Sequence, residues 1–403
     1  MKRSLLQFGT MLTLLACSEH TMAGAWTPRS SFAGGPRTAA VGFTIGNYGY
    51  ITTGFDSSSY RRSMYKYDPA LDGWTQVTSL GGSTGSGLGR DMAICFVVST
   101  NAYIGLGQGG SPYLFDFWQY SGPADVWTQK ANFPGTKRRG AASFAVNGKG
   151  YVTTGQDSLG YKNDTWEYNP TTNVWTQKAN FPGSARRLAV GFAIGSKGYV
   201  GTGEDGTFKA DFYEYDPGAN IWTAKASFPG TPRYGASAMV INNKGYVGCG
   251  YDNTLQNRND FWEYDPSLNS WTQKSSFFGT PRSNAVAFCI GTLGYLGTGY
   301  DGVVRDDFWV FDPTQTGIND HDQKLEVGVY PNPVVTDAHF SIAGDPHAKC
   351  EFKLMSLDGK TVREESFSGN EFRFERNDLP NGVYLYNLTS GHSSASGKLL
   401  LVN

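Results

Sequence analysis

An arginine recurs six times in the sequence, each time at the same position of a repeated pattern. A tyrosine follows each arginine after 13 residues, and a glycine follows the tyrosine after four. A guanidinium group can hold a carboxylate with two parallel hydrogen bonds, so a ring of arginines could capture an anionic ligand. We therefore predict that these arginines bind a ligand at the mouth of a central channel. The six are Arg37, Arg90, Arg138, Arg186, Arg233 and Arg282.

Repeated aspartates give the same arginines an alternative, structural role. One set lies two residues after the repeated glycines, and the other set lies just before a strand-like segment further along each repeat. If these charges pair with one another, they join loops and need no ligand. The presence of the arginine in every repeat favours this interpretation, because one ligand seldom needs six equivalent groups. The two sets are Asp56, Asp157, Asp205, Asp252 and Asp301, and Asp116, Asp164, Asp211, Asp260 and Asp307.

Residues that break the repeat are better markers of a specific site. The loop that enters each unit and the loop in its middle vary in length, whereas the two other turns do not. Variable loops on a rigid scaffold are where binding usually resides. Tyr113, Glu204, Tyr234 and Arg258 belong to this variable face, where an aromatic ring could stack on a sugar. We predict that these four residues also contact the ligand.

Catalytic chemistry has little support in the repeats. All five histidines lie outside them, at His20, His321, His339, His347 and His392. That distribution argues against a Ser-His-Asp triad and against a histidine-bound metal in the repeats. We therefore predict no catalytic residue, no metal and no cofactor.

Tryptophans show which elements must position these side chains. They recur every 47 to 53 residues, a period typical of propeller arrays, at Trp26, Trp74, Trp127, Trp175, Trp222 and Trp271. Each unit is predicted to be a four-stranded antiparallel meander. In the fifth unit, strand A is Gly235–Ile241, strand B is Tyr246–Gly250, strand C is Phe261–Tyr264, and strand D begins at Trp271. Glycine and asparagine in the connecting turns suit the left-handed dihedrals of tight hairpins.

The two ends of the array are complementary. The segment at Trp26 is a strand D without strands A to C before it, and the sixth unit ends at Pro313 without a strand D. We predict that the first segment completes the last unit, which closes the ring and removes the exposed strand edges. The fold class is therefore all-β, with a six-bladed propeller over residues 26–313 and a small β-sandwich after it.

This pattern resembles kelch repeats, with a Thr-Gly or similar pair where the usual kelch strand B ends in Gly-Gly. The array is similar to the galactose oxidase propeller, but the two histidine ligands that its copper site requires are missing. A kelch sialic-acid mutarotase is a six-bladed relative that needs neither histidine nor metal. That resemblance implies an alternative in which Glu204 and the arginines act as an enzyme site.

The remainder of the chain has a different character. Residues 314–324 are polar and are predicted to be a linker. Residues 325–403 contain short alternating strands with Asp-Gly and Asn-Gly turns, which favours a β-sandwich. Their motifs resemble the C-terminal sorting domain of type IX secretion, found in Bacteroidota, which implies contact with that secretion machinery. The motif residues are Pro331, Asn332, Pro333, Gly359, Lys360, Gly382 and Tyr384.

The start of the chain predicts export. Residues 1–25 combine Lys2 and Arg3 with a short apolar run and small residues, as in a signal peptide. A lipobox-like segment ending at Cys17 is the alternative. No segment is long and apolar enough to span a bilayer. The charge is balanced, with 34 Lys+Arg against 35 Asp+Glu, which argues against a nucleic-acid partner.

These observations predict an extracellular or surface-exposed propeller, exported by type IX secretion, that binds a glycan or a protein without catalysis. One alternative is an enzyme on an acidic sugar, similar to a mutarotase or a lyase. A structural adhesion component is the other alternative.

Overall fold

The computed structural model describes residues 23–82, 87–110, 113–316, 323–324, 327–342, 349–357, 360–390 and 393–403. Within these ranges the secondary structure consists of β-strands, without a helix. The chain divides into two compact units, Met1–Gly317 and Ile318–Asn403. Most of the predicted signal peptide, with Cys17, lies outside the described residues.

The first unit contains strands β1 to β28. The strands are β1 Ala23–Arg29, β2 Val41–Ile45, β3 Tyr48–Thr52, β4 Met64–Asp68, β5 Gly73–Val77, β6 Ile94–Val98, β7 Asn101–Gly105, β8 Phe117–Ser121, β9 Val126–Gln129, β10 Ala142–Val146, β11 Lys149–Thr153, β12 Gln156–Asp157, β13 Gly160–Tyr161, β14 Thr165–Asn169, β15 Val174–Lys178, β16 Val190–Ile194, β17 Lys197–Gly201, β18 Phe212–Asp216, β19 Ile221–Lys225, β20 Arg233–Tyr234, β21 Ser237–Ile241, β22 Lys244–Gly248, β23 Tyr251–Asp252, β24 Phe261–Asp265, β25 Ser270–Lys274, β26 Val286–Ile290, β27 Leu293–Gly297 and β28 Phe308–Thr316.

These strands form six four-stranded antiparallel sheets, which we call blades one to six. In chain order the blades are β2 to β5, β6 to β9, β10-β11-β14-β15, β16 to β19, β21-β22-β24-β25, and β26-β27-β28 with β1. The first strand of each blade contacts the first strands of both neighbouring blades, β26 and β2 included. The blades therefore form a closed ring with β2, β6, β10, β16, β21 and β26 innermost.

Alternating side chains explain why these strands pack as blades. Along the innermost strand β21, Ser237, Met239 and Ile241 are buried and the residues between them are half-buried, because neighbouring blades cover both faces. Between blades, aromatic rings meet edge to face. The ring of Phe212 in blade four lies 4.9 Å from Tyr264 and 5.1 Å from Trp271 in blade five. Such contacts add to the free energy gained by burial.

Strand β1 completes blade six by pairing with β28, where Trp26 is opposite Phe311. The Trp26 side chain is buried, and its Nε1 donates to the carbonyl of Ser275 in blade five at 3.2 Å. Both strands are longer than the sequence predicts. The register extends to Ala23 opposite Thr316, so β28 continues through the start of the predicted linker because β1 supplies its backbone partners.

Hydrogen bonds from strand D repeat around the ring. Each of its tryptophans donates Nε1 to a carbonyl of the preceding blade: Trp74 to Ser30, Trp127 to Thr78, Trp175 to Ala131, Trp222 to Ala179 and Trp271 to Ala226. The Asp or Asn two residues before the tryptophan accepts a backbone N–H from the same segment of the preceding blade, as Asn269 does from Ala226 at 3.0 Å. These bonds tie each blade to the one before it.

Strand B ends earlier than predicted. In blade five it is Lys244–Gly248, because Cys249 and Gly250 have φ angles of 59° and 94°, which a strand cannot adopt. The Gly250 N–H then donates to the carbonyl of Arg282 in blade six at 2.7 Å. All six blades share this turn, so the Thr-Gly type of pair links each blade to the next.

The second unit is a β-sandwich of two sheets. Its strands are β29 Gln323–Lys324, β30 Val327–Tyr330, β31 Asp337–Ile342, β32 Lys349–Met355, β33 Thr361–Ser368, β34 Glu371–Glu375, β35 Gly382–Ser390 and β36 Ser393–Leu401. One sheet has the order β29-β36-β35-β32-β33 and the other β30-β31-β34. Phe340 and Phe374 from the second sheet pack with Phe352 and Leu388 from the first in one buried core.

Candidate ligand site at the channel mouth

The six repeated arginines lie inside the blades. Each is 0–1% exposed, so none presents its side chain at the surface of the channel mouth. In five blades the guanidinium binds both oxygens of an aspartate that precedes strand C. The pairs are Arg90 with Asp116, Arg138 with Asp164, Arg186 with Asp211, Arg233 with Asp260 and Arg282 with Asp307. This burial and pairing support the structural alternative, and ligand binding by the arginines stays a prediction.

Arg233 shows what this pair does for the blade. Its Nη1 lies 2.5 Å from Oδ1 of Asp260 and its Nη2 lies 2.9 Å from Oδ2. The same Nη1 donates to the carbonyl of Cys249 at 2.9 Å, and the guanidinium covers the ring of Phe228 at 4.9 Å. The side chain thus joins the starts of strands A and C to the end of strand B. The fixed fork of a guanidinium suits such a junction.

Arg258 also belongs to a repeated structural pair. Its Nε lies 2.5 Å from Oδ2 of Asp252, whose side chain is fully buried. The same loop pair recurs as Asp56 with Arg61, Asp157 with Lys162, Asp205 with Lys209 and Asp301 with Arg305. The hydrogen bonds that Asp252 accepts hold the pKa of its carboxyl well below its usual range. Arg258 therefore stabilises its own loop, and its contact with a ligand stays a prediction.

The axis of the ring is closed by backbone hydrogen bonds. The residue two positions after each arginine donates its N–H to the equivalent carbonyl of the preceding blade, at 2.7 to 3.1 Å. The six residues of this closed circle are Ala39, Met92, Gly140, Leu188, Gly235 and Asn284. Next to it is a cavity of about 140 Å³, lined also by the alanine that follows each of them. That volume is below the usual range for a ligand pocket, so the axis itself is not the ligand site.

The residue directly after each arginine lies around this circle and differs from blade to blade. It pairs through its backbone with the residue directly after the repeated glycine. The six pairs are Thr38 with Phe55, Asp91 with Gln108, Arg139 with Gln156, Arg187 with Glu204, Tyr234 with Tyr251, and Ser283 with Tyr300. We call these twelve residues the mouth ring. Since their backbone positions are equivalent and their side chains are not, they can form a specific site.

Arg139 is the group of this ring that is best suited to an anion. Its guanidinium donates to the amide oxygens of Gln108 and Gln156, the latter at 3.3 Å, and it covers the ring of Tyr113 at 5.0 Å. Among the described residues no carboxylate forms an ion pair with it, and its Nε has no hydrogen-bond partner. The hydrogen-bond partners of this half-buried guanidinium are therefore neutral, and the nearby Asp91 carboxyl acts on it through its charge without a direct ion pair. An arginine in this state can still bind a carboxylate.

A second arginine follows in the next blade. Arg187 donates to Oε1 of Gln156 at 2.7 Å and pairs through Nε with Glu204 at 2.5 Å. Glu204 also accepts from the hydroxyl of Tyr161 at 2.9 Å and from the N–H of Gly206 at 3.0 Å. These hydrogen bonds lower the pKa of the Glu204 carboxyl. Gln156 thus links the two guanidinium groups, while Glu204 fixes the orientation of one of them.

Aromatic rings continue the site beyond Glu204. Tyr234 stacks on Phe208 with ring centres 5.5 Å apart and planes 11° apart, and Tyr251 lies 5.6 Å from Tyr234. We call these three rings the aromatic shelf. Phe208 pairs through its backbone with Glu204, the partner of Arg187, so the shelf is close to that arginine. Flat aromatic surfaces beside charged donors suit a sugar ring with an anionic substituent.

Asp91 has an unusual environment. It pairs through its backbone with Gln108 in blade two, whereas Arg187 belongs to blade four. Asp91 is 8% exposed, and its Oδ1 has no hydrogen-bond partner among the described residues. Burial raises the pKa of this carboxyl to about 6, although the charge of Arg139 opposes the shift. A carboxyl with such a pKa can exchange a proton near neutral pH.

The structure thus brings together three of the ten predicted ligand residues, Tyr113, Glu204 and Tyr234. Sequence reasoning missed Asp91, Gln108, Arg139, Gln156, Arg187 and Phe208. Their positions in the repeat could have revealed them, because all of them except Phe208 directly follow a repeated arginine or glycine. Their types vary between units, which is the property that distinguishes a site from a repeated structural contact.

Metal-binding clusters and membrane-spanning helices do not occur in the described part of the chain. It contains no group of three or more His, Cys, Asp or Glu side chains that could hold a metal ion. Within the same residues no helix is long and apolar enough to cross a membrane.

The predicted sorting residues lie in the second unit. Asn332 donates to the carbonyl of Lys398 at 2.8 Å and accepts from the N–H of Leu400 at 2.9 Å, which ties the loop after β30 to β36. Tyr384 donates its hydroxyl to the carbonyl of Pro380 at 3.1 Å. Gly359 lies outside the described residues. Their roles in sorting stay a prediction.

The fold and the repeats define an all-β, propeller-like protein with a separate C-terminal sandwich. Residues 137–182 and 232–277 match the kelch motif, and residues 328–402 match the secretion system C-terminal sorting domain. The chain therefore carries kelch repeats and a type IX sorting domain, as its sequence predicts, and it is exported to the cell surface or the extracellular space.

The solved structure of YjhT has a similar fold. It is 19% identical in sequence, has a TM-score of 0.59, and the match covers 70% of this chain and 95% of that one. At this identity the similarity shows the fold alone. No curated protein matches the sequence.

Proposed function

We propose that the propeller binds an acidic saccharide at its mouth ring, outside the cell and without consuming it. The observation that carries this proposal is Arg139, whose guanidinium is positioned by two glutamine amide oxygens and, among the described residues, by no carboxylate. In five of the six blades the structural arginine is paired with an aspartate, as Arg138 is. A positive charge that neutral groups hold at a half-exposed surface is pre-organised for an anionic ligand.

The surroundings of Arg139 narrow the class of ligand. Arg187 adds a second guanidinium through the shared Gln156, and the aromatic shelf adds flat apolar surface. Glutamine amides and tyrosine hydroxyls can hydrogen-bond the hydroxyl groups of a sugar. A saccharide with a carboxylate uses all of these groups, whereas a neutral sugar leaves Arg139 without an anionic partner. A uronic acid or N-acetylneuraminic acid fits this description.

A thermal-shift screen tests the proposal. The purified protein is heated with millimolar glucuronate, galacturonate or N-acetylneuraminate, and with glucose and galactose as uncharged partners. A ligand at 100 times its dissociation constant adds about 2.7 kcal/mol to the free energy of unfolding. We expect a shift with at least one acidic sugar that the matching neutral sugar does not give. Equal shifts with charged and neutral sugars, or no shift at all, would count against the proposal and direct attention to a protein ligand or to adhesion.

The alternative is an enzyme acting on the same class of sugar. The observation that favours it is Asp91, a buried carboxyl beside Arg139 whose pKa is raised to about 6. Such a group could transfer a proton to or from a bound sugar. Exchange between sugar anomers, followed by one-dimensional NMR, distinguishes the two functions. Acceleration by the protein that the Asp91→Asn variant loses would favour the enzyme, and binding without acceleration favours the receptor.

A further inference from the structure

The buried arginine of blade one lacks the counter-ion that the other five have. Arg37 is 1% exposed, and its Nη1 donates to the carbonyl of Thr53 at 3.0 Å, as its equivalents do. The position that holds the paired aspartate in blades two to six is Ser63 in blade one. The Ser63 hydroxyl lies 3.4 Å from Nη2 of Arg37, a weak contact with a neutral group. Among the described residues no carboxylate is within ion-pair distance of Arg37.

Other contacts do not replace the missing carboxylate. Nη2 of Arg37 donates to the carbonyl of Gly34 at 2.5 Å, and the guanidinium covers the ring of Phe32 at 4.6 Å. Within the described residues its Nε has no partner, whereas Nε of Arg233 donates to the carbonyl of Thr231 at 2.9 Å. The acid whose charge acts on Arg37 is Asp56, which is already bound by Arg61 and by Ser58. Arg37 therefore keeps an unused donor as well as an unbalanced charge.

The charge on Arg37 persists at neutral pH. Burial lowers the pKa of the guanidinium to about 10, which is still well above 7. A buried charge without a partner is unfavourable, and an anion that pairs with it would stabilise the folded state. The protein thus has a reason to recruit an anion at this position. Ser63 is half-buried, and so are the paired aspartates of the other blades. Solutes can therefore reach the site.

We propose that Arg37 and Ser63 form a binding site for a small monovalent anion, of the size of chloride or formate, which takes the role of the missing aspartate carboxylate. Nη1 and Nη2 of Arg37, whose equivalents in blade five bind the aspartate, are the groups that would hold it, together with the Ser63 hydroxyl and the hydroxyl of Tyr65, two residues further on. In blade five the residue equivalent to Tyr65 is Trp262, whose Nε1 donates to Asp260 at 2.8 Å. The anion site does not depend on the proposed sugar site.

Chloride-dependent stability tests the site. The thermal midpoint of the purified protein is measured in increasing sodium chloride, with sodium sulfate at equal ionic strength as the reference. A specific site raises the midpoint by about 2 °C for each tenfold rise in chloride above the dissociation constant, for a domain of this size. The matched control is Ser63→Asp, which supplies the carboxylate. We expect it to melt higher without chloride and to lose the chloride-specific rise.

A second variant tests the reverse change, the removal of an aspartate from another blade. Asp260→Ser gives blade five the same arrangement as blade one, and it should melt lower and gain a chloride-specific rise. Chloride that binds at Arg139 or Arg187 does not confuse the comparison, because all the variants keep those residues. Equal chloride responses of the unmodified protein and of Ser63→Asp would overturn the proposal.

If Ser63→Asp does not fold, bromide provides a direct measurement. A crystal of the unmodified protein grown in sodium bromide should show an anomalous peak within hydrogen-bond distance of Arg37. Absence of that peak at a bromide concentration that gives the full thermal shift would also overturn the proposal.

Discussion

Arg138 and Arg139 are consecutive residues whose guanidinium groups have opposite kinds of partner. Arg138 is 1% exposed and binds both oxygens of Asp164, at 2.5 and 2.9 Å. Arg139 is half-exposed and donates to the amide oxygens of two glutamines. Of these two consecutive residues, the first therefore forms a structural ion pair and the second carries a charge that can bind an anion. Arg186 and Arg187 are in the same relation in the next blade, although Arg187 also binds Glu204.

Alanine substitution should separate the two roles. Arg138→Ala leaves Asp164 without its partner and removes the side chain that covers Phe133, so the free energy of unfolding should fall by about 3 kcal/mol. Arg139→Ala removes a half-exposed group and should change it by less than about 1 kcal/mol. Urea denaturation of the two variants measures the difference. An Arg139→Ala protein as unstable as Arg138→Ala would show that Arg139 is also structural.

The aromatic shelf should contribute to affinity through its faces. Tyr234→Ala breaks the stack on Phe208, and we expect a loss of about tenfold in affinity for the acidic sugar that gives the largest thermal shift. Tyr48→Ala is the matched control, because Tyr48 is an exposed tyrosine at the start of β3 and does not belong to the mouth ring. Titration calorimetry measures both. Equal losses in the two variants would mean that the shelf is not the sugar surface.

Asp91 should make stability depend on pH in a defined direction. Its pKa is about 6 in the folded protein and about 4 when unfolded, so the folded state holds the extra proton between these values. Stability is therefore lost as the pH rises from about 4 to 6, by up to about 3 kcal/mol. Asp91→Asn removes this loss, so its stabilising effect should be small at pH 4 and largest above pH 6. Urea denaturation at pH 4 and pH 7.5 measures it, and an effect independent of pH would contradict this assignment.

Closure of the ring by β1 should be needed for stability. Trp26 packs edge to face on Phe261 and Phe277 at 5.1 and 5.0 Å and links blade five to blade six. Trp26→Ala should cost about 3–5 kcal/mol, as other buried tryptophans do. Deletion of residues 26–31 should lower the thermal midpoint further, because it exposes the edge of β28. A deleted protein that melts at the unchanged temperature would show that β1 does not close the ring.

The repeat and the propeller class could be predicted because the same residues recur at the same intervals in every unit. Trp26 and its equivalents mark strand D, and the constant intervals from each arginine to the following tyrosine and glycine mark strands A and B. The end of strand B could not be placed, since the left-handed turn at Cys249 and Gly250 looks like a continuing apolar segment in the sequence. The missing partner of Arg37 could have been noticed from Ser63, which interrupts the series of aspartates.

The candidate site was harder to predict than the fold. The repeated arginines attract attention because they are invariant between units, but invariance here reflects the ion pairs with residues such as Asp164. Arg139 precedes β10 and Gln156 begins β12, and the two residues become a pair only through the backbone bridge between them. The backbone pairing of Arg139 with Gln156 and the partial exposure of Arg139 arise only when the ring folds. The sequence therefore does not reveal them. Tyr113, Glu204 and Tyr234 could be recognised in advance, as residues that break the repeat.

The most direct test of the central claim is titration calorimetry of the purified protein with glucuronate and with glucose, repeated with Arg139→Ala. Glucuronate and glucose differ only in the carboxylate that Arg139 is proposed to bind. We predict that glucuronate binds and glucose does not, and that Arg139→Ala weakens glucuronate binding by about 10- to 100-fold. Glucuronate binding that Arg139→Ala leaves unchanged, or that glucose matches, would contradict the claim.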